Sequence, residues 1–114
     1  MPNPVVHWEI SGPNAQVLQP FYEQLFGWKI DADNPYQYGM VDTLSSEGIA
    51  GGIGPGEGPN RVTIYVQVPD LQAALDKAES LGAKTVMEPT EIPGAVTMAM
   101  FTDPEGNVMG IIKG

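Results

Sequence analysis

His7 and Glu9 lie two residues apart in the run Val5-Val6-His7-Trp8-Glu9-Ile10, and in an extended strand residues so spaced project from one face. An imidazole beside a carboxylate is a general acid–base pair. Its ordinary pKa lies close to neutrality, and the neighbouring negative charge favours the protonated ring. The quieter reading of the same residues is an inward histidine hydrogen-bonded to Glu9, Thr63 or a neighbouring strand, kept without turnover. His7 is the single histidine and there is no cysteine, which removes disulfides, thiolate metal sites and a thiol nucleophile together. Ser11, Ser45 and Ser46 have no Gly-x-Ser-x-Gly context. The run Gly51-Gly52-Ile53-Gly54-Pro55-Gly56 has proline where a phosphate-binding helix would have to begin. What remains is acid–base chemistry at His7 and Glu9, or binding without chemistry.

Periodicity names the elements that must hold these residues. Val6, Trp8 and Ile10 alternate with Val5, His7, Glu9 and Ser11, the period-two pattern of a half-buried strand. After Gly12-Pro13-Asn14, the residues Leu18, Phe21, Tyr22, Leu25 and Phe26 recur at helical spacing up to Gly27, predicting an amphipathic helix on a sheet. Pro20 predicts a late start for it near Gln19, or a kink. Trp8, Phe21, Tyr22, Phe26 and Trp28 are expected between helix and sheet. Three short strands are expected at 28–32, 38–42 and 48–53 as an antiparallel meander, separated by Asn34-Pro35 and Ser45-Ser46-Glu47. Residues 54–60, rich in glycine and proline, predict a linker. The order then repeats: an alternating strand at 62–68, Asp70 as helix N-cap, then Leu71, Ala74, Leu75, Ala78 and Leu81 at helical spacing, with Gly82 as the stop. Strands at 84–88, 96–101 and 107–112 complete the chain, the last preceded by the turn Asp103-Pro104-Glu105-Gly106. The expectation is an α+β fold of two βαβββ modules, about 1–54 and 61–114, within one domain.

Composition narrows the partners. The 114 residues suffice for one domain. The net charge is −9, and the five cations, Lys29, Arg61, Lys77, Lys84 and Lys113, are scattered. No basic stripe exists to neutralise phosphates, so neither nucleic acid nor an anionic membrane is an expected partner. The longest apolar run falls far short of the ~20 residues that cross a bilayer. The opening residues lack the basic-then-apolar pattern of a signal peptide, and a cytoplasmic location is the expectation.

Four stretches carry a family resemblance: His7-Trp8-Glu9-Ile10; Phe21-Tyr22-Glu23-Gln24-Leu25-Phe26-Gly27-Trp28; Val66-Gln67-Val68-Pro69-Asp70-Leu71; and Phe101-Thr102-Asp103-Pro104-Glu105-Gly106-Asn107-Val108. Together they make the chain resemble the vicinal oxygen chelate superfamily, which includes glyoxalase I, extradiol dioxygenases and bleomycin-resistance proteins. The resemblance implies a curved mixed sheet forming a cup, with the helices on its convex face. It also implies metal ligands on the first, fifth and eighth strands, with the fourth adding one in glyoxalase I. His7 matches the first position, but the fifth-strand position reads Thr63 and the eighth reads Gly110, where the family has glutamate. The fourth-strand stretch, Gly48 to Ile53, has no carboxylate or imidazole. A divalent ion normally takes at least three protein ligands, and with Glu9 as a second ligand the set is still short. No metal and no cofactor are therefore expected.

Glycines on the inner wall, Gly110 and those of the fourth strand, would enlarge a cup or mark the close approach of a ligand; a bulge is the alternative. If the alternation holds, Thr63, Tyr65 and Gln67 face inward with Met98 and Met100 opposite, while Val62, Ile64, Val66 and Val68 face the helices. Such an apolar lining with a few polar anchors suits a small molecule, although each methionine taken singly is also ordinary core. The candidate catalytic residues are His7 and Glu9. The candidate ligand contacts are His7, Glu9, Thr63, Tyr65, Gln67, Met98, Met100 and Gly110. Two functions are open: a metal-independent binding protein like the drug-sequestering members of the superfamily, which are dimers, or a glyoxalase-like lyase or isomerase, or dioxygenase-type enzyme, using His7 and Glu9 with or without a weakly held metal.

Overall fold

The computed structural model describes residues 2–114. The fold is α+β, with the order β1 (Val5–Gly12), α1 (Ala15–Phe26), β2 (Lys29–Asp31), β3 (Gly39–Asp42), β4 (Gly51–Pro55), β5 (Arg61–Val68), α2 (Leu71–Ser80), β6 (Lys84–Glu91), β7 (Thr97–Thr102) and β8 (Val108–Lys113). This is the βαβββ order twice, with parallel and antiparallel pairings mixed. Contacts group the described residues into two compact units, residues 7–63 and residues 2–6 with 64–114.

In the unit of residues 7–63, the strand order is β2-β3-β4-β1. The strands β2, β3 and β4 are antiparallel neighbours, as the meander predicted, and β1 runs parallel to β4 with Glu9 opposite Gly52 and Ile10 opposite Ile53. β4 lies further along the chain than expected. Its Gly54 and Pro55 pair with Ser11 and Gly12, so the first residues assigned to the linker are strand.

The helix α1 also corrects two expectations. It starts at Ala15, not near Gln19, and Pro20 sits inside it. Pro20 denies a hydrogen bond only to the carbonyl of Gln16, while the first turn is closed by the amides of Val17 and Leu18 on the Asn14 carbonyl. Its sheet-facing side is Ala15, Leu18, Gln19 and Tyr22, whereas Phe21, Leu25 and Phe26 are each more than half exposed. The 3.6-residue period allowed two adjacent apolar stripes, and Gln19 chooses between them: its side-chain amide donates to the Ile53 carbonyl at 2.7 Å. Gly27, at φ 73°, caps the helix in the left-handed conformation that glycine tolerates.

In the second unit the strand order is β5-β8-β7-β6. Asp70 caps α2 through the Ala73 amide at 3.0 Å, as expected. Val68, Leu71, Leu75, Ala99 and Ile111 form its buried core, with Val66 packed against it. Val62 and Ile64 were expected to share that cover, but they are 72% and 38% exposed; α2 shields only the C-terminal half of β5. β6 continues through Pro89 to Glu91, beyond its expected end, with irregular register against β7 between Thr85 and Thr90. The register shift lets a proline enter a strand at the unit's edge.

Candidate functional site

The site is built first on β1 and β4. Because Glu9 pairs with Gly52 and Ser11 with Gly54, one face of the sheet carries His7, Glu9, Ser11, Gly52 and Gly54, and the opposite face carries Trp8, Ile10, Gly51 and Ile53. On the helix side, Trp8 lies over Gly51, where a Cβ would stand 2.6 Å from its Cζ2. Its indole N–H donates to the Ile49 carbonyl at 2.7 Å. Trp28 joins it at 5.1 Å between ring centroids and contacts Tyr22 and Phe26. Those aromatics are structural, as the sequence suggested, although Phe26 is also half in solvent.

On the His7 side the decisive neighbour is Tyr38. Its hydroxyl lies 2.8 Å from His7 Nε2, and the two rings stack with centroids 6.2 Å apart. Tyr38 precedes β3 instead of belonging to it, and the Asn34 side chain fixes its backbone. The Asn34 carbonyl oxygen accepts from the Tyr36 and Tyr38 amides, and its Nδ2 donates to the Tyr38 carbonyl. Gln37, at φ 53°, turns the chain into place. The ring then lies across Gly52 and Gly54. A Cβ on Gly52 would run into the hydroxyl and ring edge, and one on Gly54 would stand 3.1 Å from Cε1. The β4 glycines therefore seat a tyrosine instead of leaving open space.

His7 is half-buried, and its pKa is lowered from the ordinary 6.5 because burial penalises the charged ring more than the charge of Glu9 favours it. The sequence argument had the carboxylate winning; burial wins instead, and it favours the uncharged ring. Thr63 belongs to this same unit. It is 2% exposed, and its hydroxyl finds no hydrogen-bond partner among the described residues. A buried polar atom left in this way costs free energy that a bound polar group would recover.

In the other unit, pairing places the remaining candidates on one face. Tyr65, Gly110 and Met100 form one cross-strand row, and Gln67, Ile112 and Met98 the next. Tyr65 and Met100 are buried, Met98 is half-buried and Gln67 is exposed. Gly110 is covered by Tyr65, since a Cβ there would lie 2.9 Å from the ring's Cγ and nearer still to Cδ2 and Cε2. Gly110 thus holds no empty volume.

These observations bear on the metal. Among the described residues, no group of three or more histidine, cysteine, aspartate or glutamate side chains is placed to hold an ion. His7 Nε2 is turned to a phenol, and tyrosine rings cover both Gly52 and Gly110. The donor set does not fit a divalent ion.

The profile of the glyoxalase-like domain family matches residues 8–112. The chain belongs to that family. It is 36% identical over 112 residues to CFP32, a candidate glyoxylase of Mycobacterium tuberculosis, covering 90% of this chain and 42% of the relative. It is 25% identical over 122 residues to the anthracycline biosynthesis protein DnrV of Streptomyces peucetius, covering 91% and 44%. The chain thus spans less than half the length of these curated relatives. Among solved structures, a glyoxalase/bleomycin resistance protein/dioxygenase superfamily member from Vibrio splendidus superposes with a TM-score of 0.65 at 15% identity, covering 99% of this chain and 100% of the other. That likeness concerns the fold, and it agrees with the superfamily resemblance read from the sequence. Tyr38 is the residue that sequence reasoning missed. The available signal was the alternation of Gly52 and Gly54, which exposes one face of a strand to a large neighbour. Among the described residues no helix is long and apolar enough to cross a membrane.

Proposed function

We propose that this glyoxalase-like chain is a metal-independent module that binds a small organic molecule in the unit of residues 7–63, through the sheet face bearing His7 and Glu9 and through Thr63. In the same reading Tyr65, Gln67, Met98 and Met100, grouped on one face of the other unit, are ligand contacts of that unit, whereas Gly110 is given up as one because the Tyr65 ring covers it. The single observation that carries the reading is the buried, unpartnered Thr63 hydroxyl. It is a polar group held ready at a position where the family's metal enzymes have a ligand, in a chain whose donor set does not fit a metal. The same reading includes a homodimer in the cytoplasm, without nucleic acid or membrane partners, and modules divided near residues 54 and 61. A sedimentation experiment showing only monomer at micromolar concentration would refute the dimer.

The test is a thermal-shift screen of uncharged small organic molecules against wild type and His7→Ala. Saturable stabilisation without turnover, weakened only modestly in His7→Ala, is the expected result. An enzymatic reading has one observation in its favour: a half-buried imidazole beside a carboxylate, its pKa lowered by burial, has the chemistry to take a proton from a substrate. Turnover abolished by His7→Ala would make that reading the better one.

A further inference from the structure

The exposed residues of α1 fall into two columns at i, i+4 spacing, Gln16-Pro20-Gln24 and Val17-Phe21-Leu25. Val17, Phe21 and Leu25 are each more than half exposed, as is Phe26 beside them. The chain's own repeat supplies a comparison. In α2 the corresponding columns read Gln72-Asp76-Ser80 and Ala73-Lys77-Leu81, so an acid and a base stand where α1 carries Pro20 and Phe21. The charged residue of α1, Glu23, is half-buried and accepts from the Ile30 amide at 3.3 Å. In a chain of net charge −9, the outer stripe of α1 is therefore uncharged as well as apolar. Its rings are held in place. Phe21 meets Tyr22 edge-on at 4.9 Å between centroids, and Tyr22 stacks with both Phe26 and Trp28.

We propose, resting on the homodimer in the reading above, that the Val17-Phe21-Leu25 face of α1 is where a second copy of this chain docks, antiparallel about a two-fold axis beside Phe21. Three features select a second copy. The first is charge. Two chains of −9 repel one another over most approaches, and here they meet without bringing carboxylates together. A basic partner would seek the carboxylates instead, and an anionic lipid surface would be repelled. The second is symmetry. A two-fold interface brings one patch against itself, and the exposed pairs Gln16-Val17, Pro20-Phe21 and Gln24-Leu25 follow the same pattern from either end. Antiparallel docking sets Val17 against the partner's Leu25 and Phe21 against the partner's Phe21. The glutamine amides, each both donor and acceptor, can pair at the edges. The third is area. With Pro20 and the glutamines, the stripe exposes roughly 600 Å² per copy, the lower end of what a specific dimer buries. Association in the micromolar range is the consequence.

Sedimentation velocity of the full chain, from low micromolar to sub-millimolar concentration, is the test. Wild type is expected to show a reversible monomer–dimer equilibrium. Phe21→Glu sets two carboxylates on the axis and should weaken the dimer about a hundredfold or more, as should the like charges of Phe21→Lys. Lys77→Glu, the matched change on α2, should leave it in place. Mixing the two Phe21 variants brings opposite charges together at the axis, and the mixture should associate at least about tenfold more tightly than either variant alone. A wild-type dimer that survives Phe21→Glu overturns this interface and leaves the homodimer standing, whereas a wild type monomeric throughout overturns both. Should that monomer sediment with phosphatidylcholine vesicles, lipid is the occupant of the stripe instead. A mixture no tighter than its components overturns the two-fold placing of Phe21. If Phe21→Glu does not fold, wild-type 1H–15N spectra over the same concentrations decide: shift changes absent, or centred away from residues 16–26, refute the docking face.

Discussion

Replacing Gly110 with alanine is expected to destabilise the fold by about 1–2 kcal/mol. The added Cβ would stand 2.9 Å from Cγ of Tyr65 and closer to two further ring carbons, whereas carbon atoms rest about 3.5–4.0 Å apart. The ring must retreat by at least about half an ångström, yet Tyr65 is 4% exposed and Met100, in the same cross-strand row, is 3% exposed. Overpacking of this kind costs about 1–3 kcal/mol. Alanine recovers only about 0.5–1 kcal/mol of that by stiffening the unfolded strand. For a chain of this length the loss corresponds to a fall in Tm of roughly 4–10 °C. Urea unfolding of wild type, Gly110→Ala, Tyr65→Leu and the double variant forms a thermodynamic cycle. Leucine vacates the space over residue 110, so the double variant should lose less than the two single losses together, with a coupling of about 1 kcal/mol. If Gly110→Ala is as stable as wild type, or the losses simply add, the ring does not occupy the place assigned to it.

Gly52→Ala should behave differently, because the obstructing atoms are the free end of a half-buried side chain that can swing away. We expect a stability change below about 1 kcal/mol, with His7 imidazole 15N shifts that match those of Tyr38→Phe; unaltered shifts would contradict the seat. Thr63→Val keeps the shape and removes an unpartnered hydroxyl, so the ligand-free variant should be as stable as wild type or up to about 1 kcal/mol more so, while ligand affinity falls. A clear loss of ligand-free stability would mean that the hydroxyl is already satisfied. The lowered pKa of His7 fixes a sign: the folded ring binds its proton less readily than the unfolded one. Stability should therefore be greatest above the ordinary value of 6.5 and decline as pH falls from there through the folded pKa. Urea midpoints measured across that window, in wild type and in His7→Gln, check this; the same slope in both would remove His7 as its source.

The fold was legible because its signals are local. Gly27 and Gly82 mark the helix ends, Asp70 makes its cap, and alternation along β1 separates His7 and Glu9 from Trp8. What the sequence obscured depends on neighbours distant along the chain. Pro20 argued against an early start for α1, but a single missing amide does not outweigh a helix anchored through Gln19 to Ile53. Gly110 and Gly52 suggested vacancy, and only cross-strand register shows which aromatic ring fills each one. His7 was placed correctly beside Glu9, yet its protonation turns on burial, which a period-two pattern does not quantify.

Metal stoichiometry tests the central claim most directly. The protein is purified without chelator, dialysed against Fe²⁺, Ni²⁺, Zn²⁺ or Mn²⁺, desalted, and analysed for metal per chain. A ratio near zero for every ion, in protein that still binds a small organic molecule, is the expected result. A ratio near one that is lost in His7→Ala would contradict the account and return His7 to service as a metal ligand.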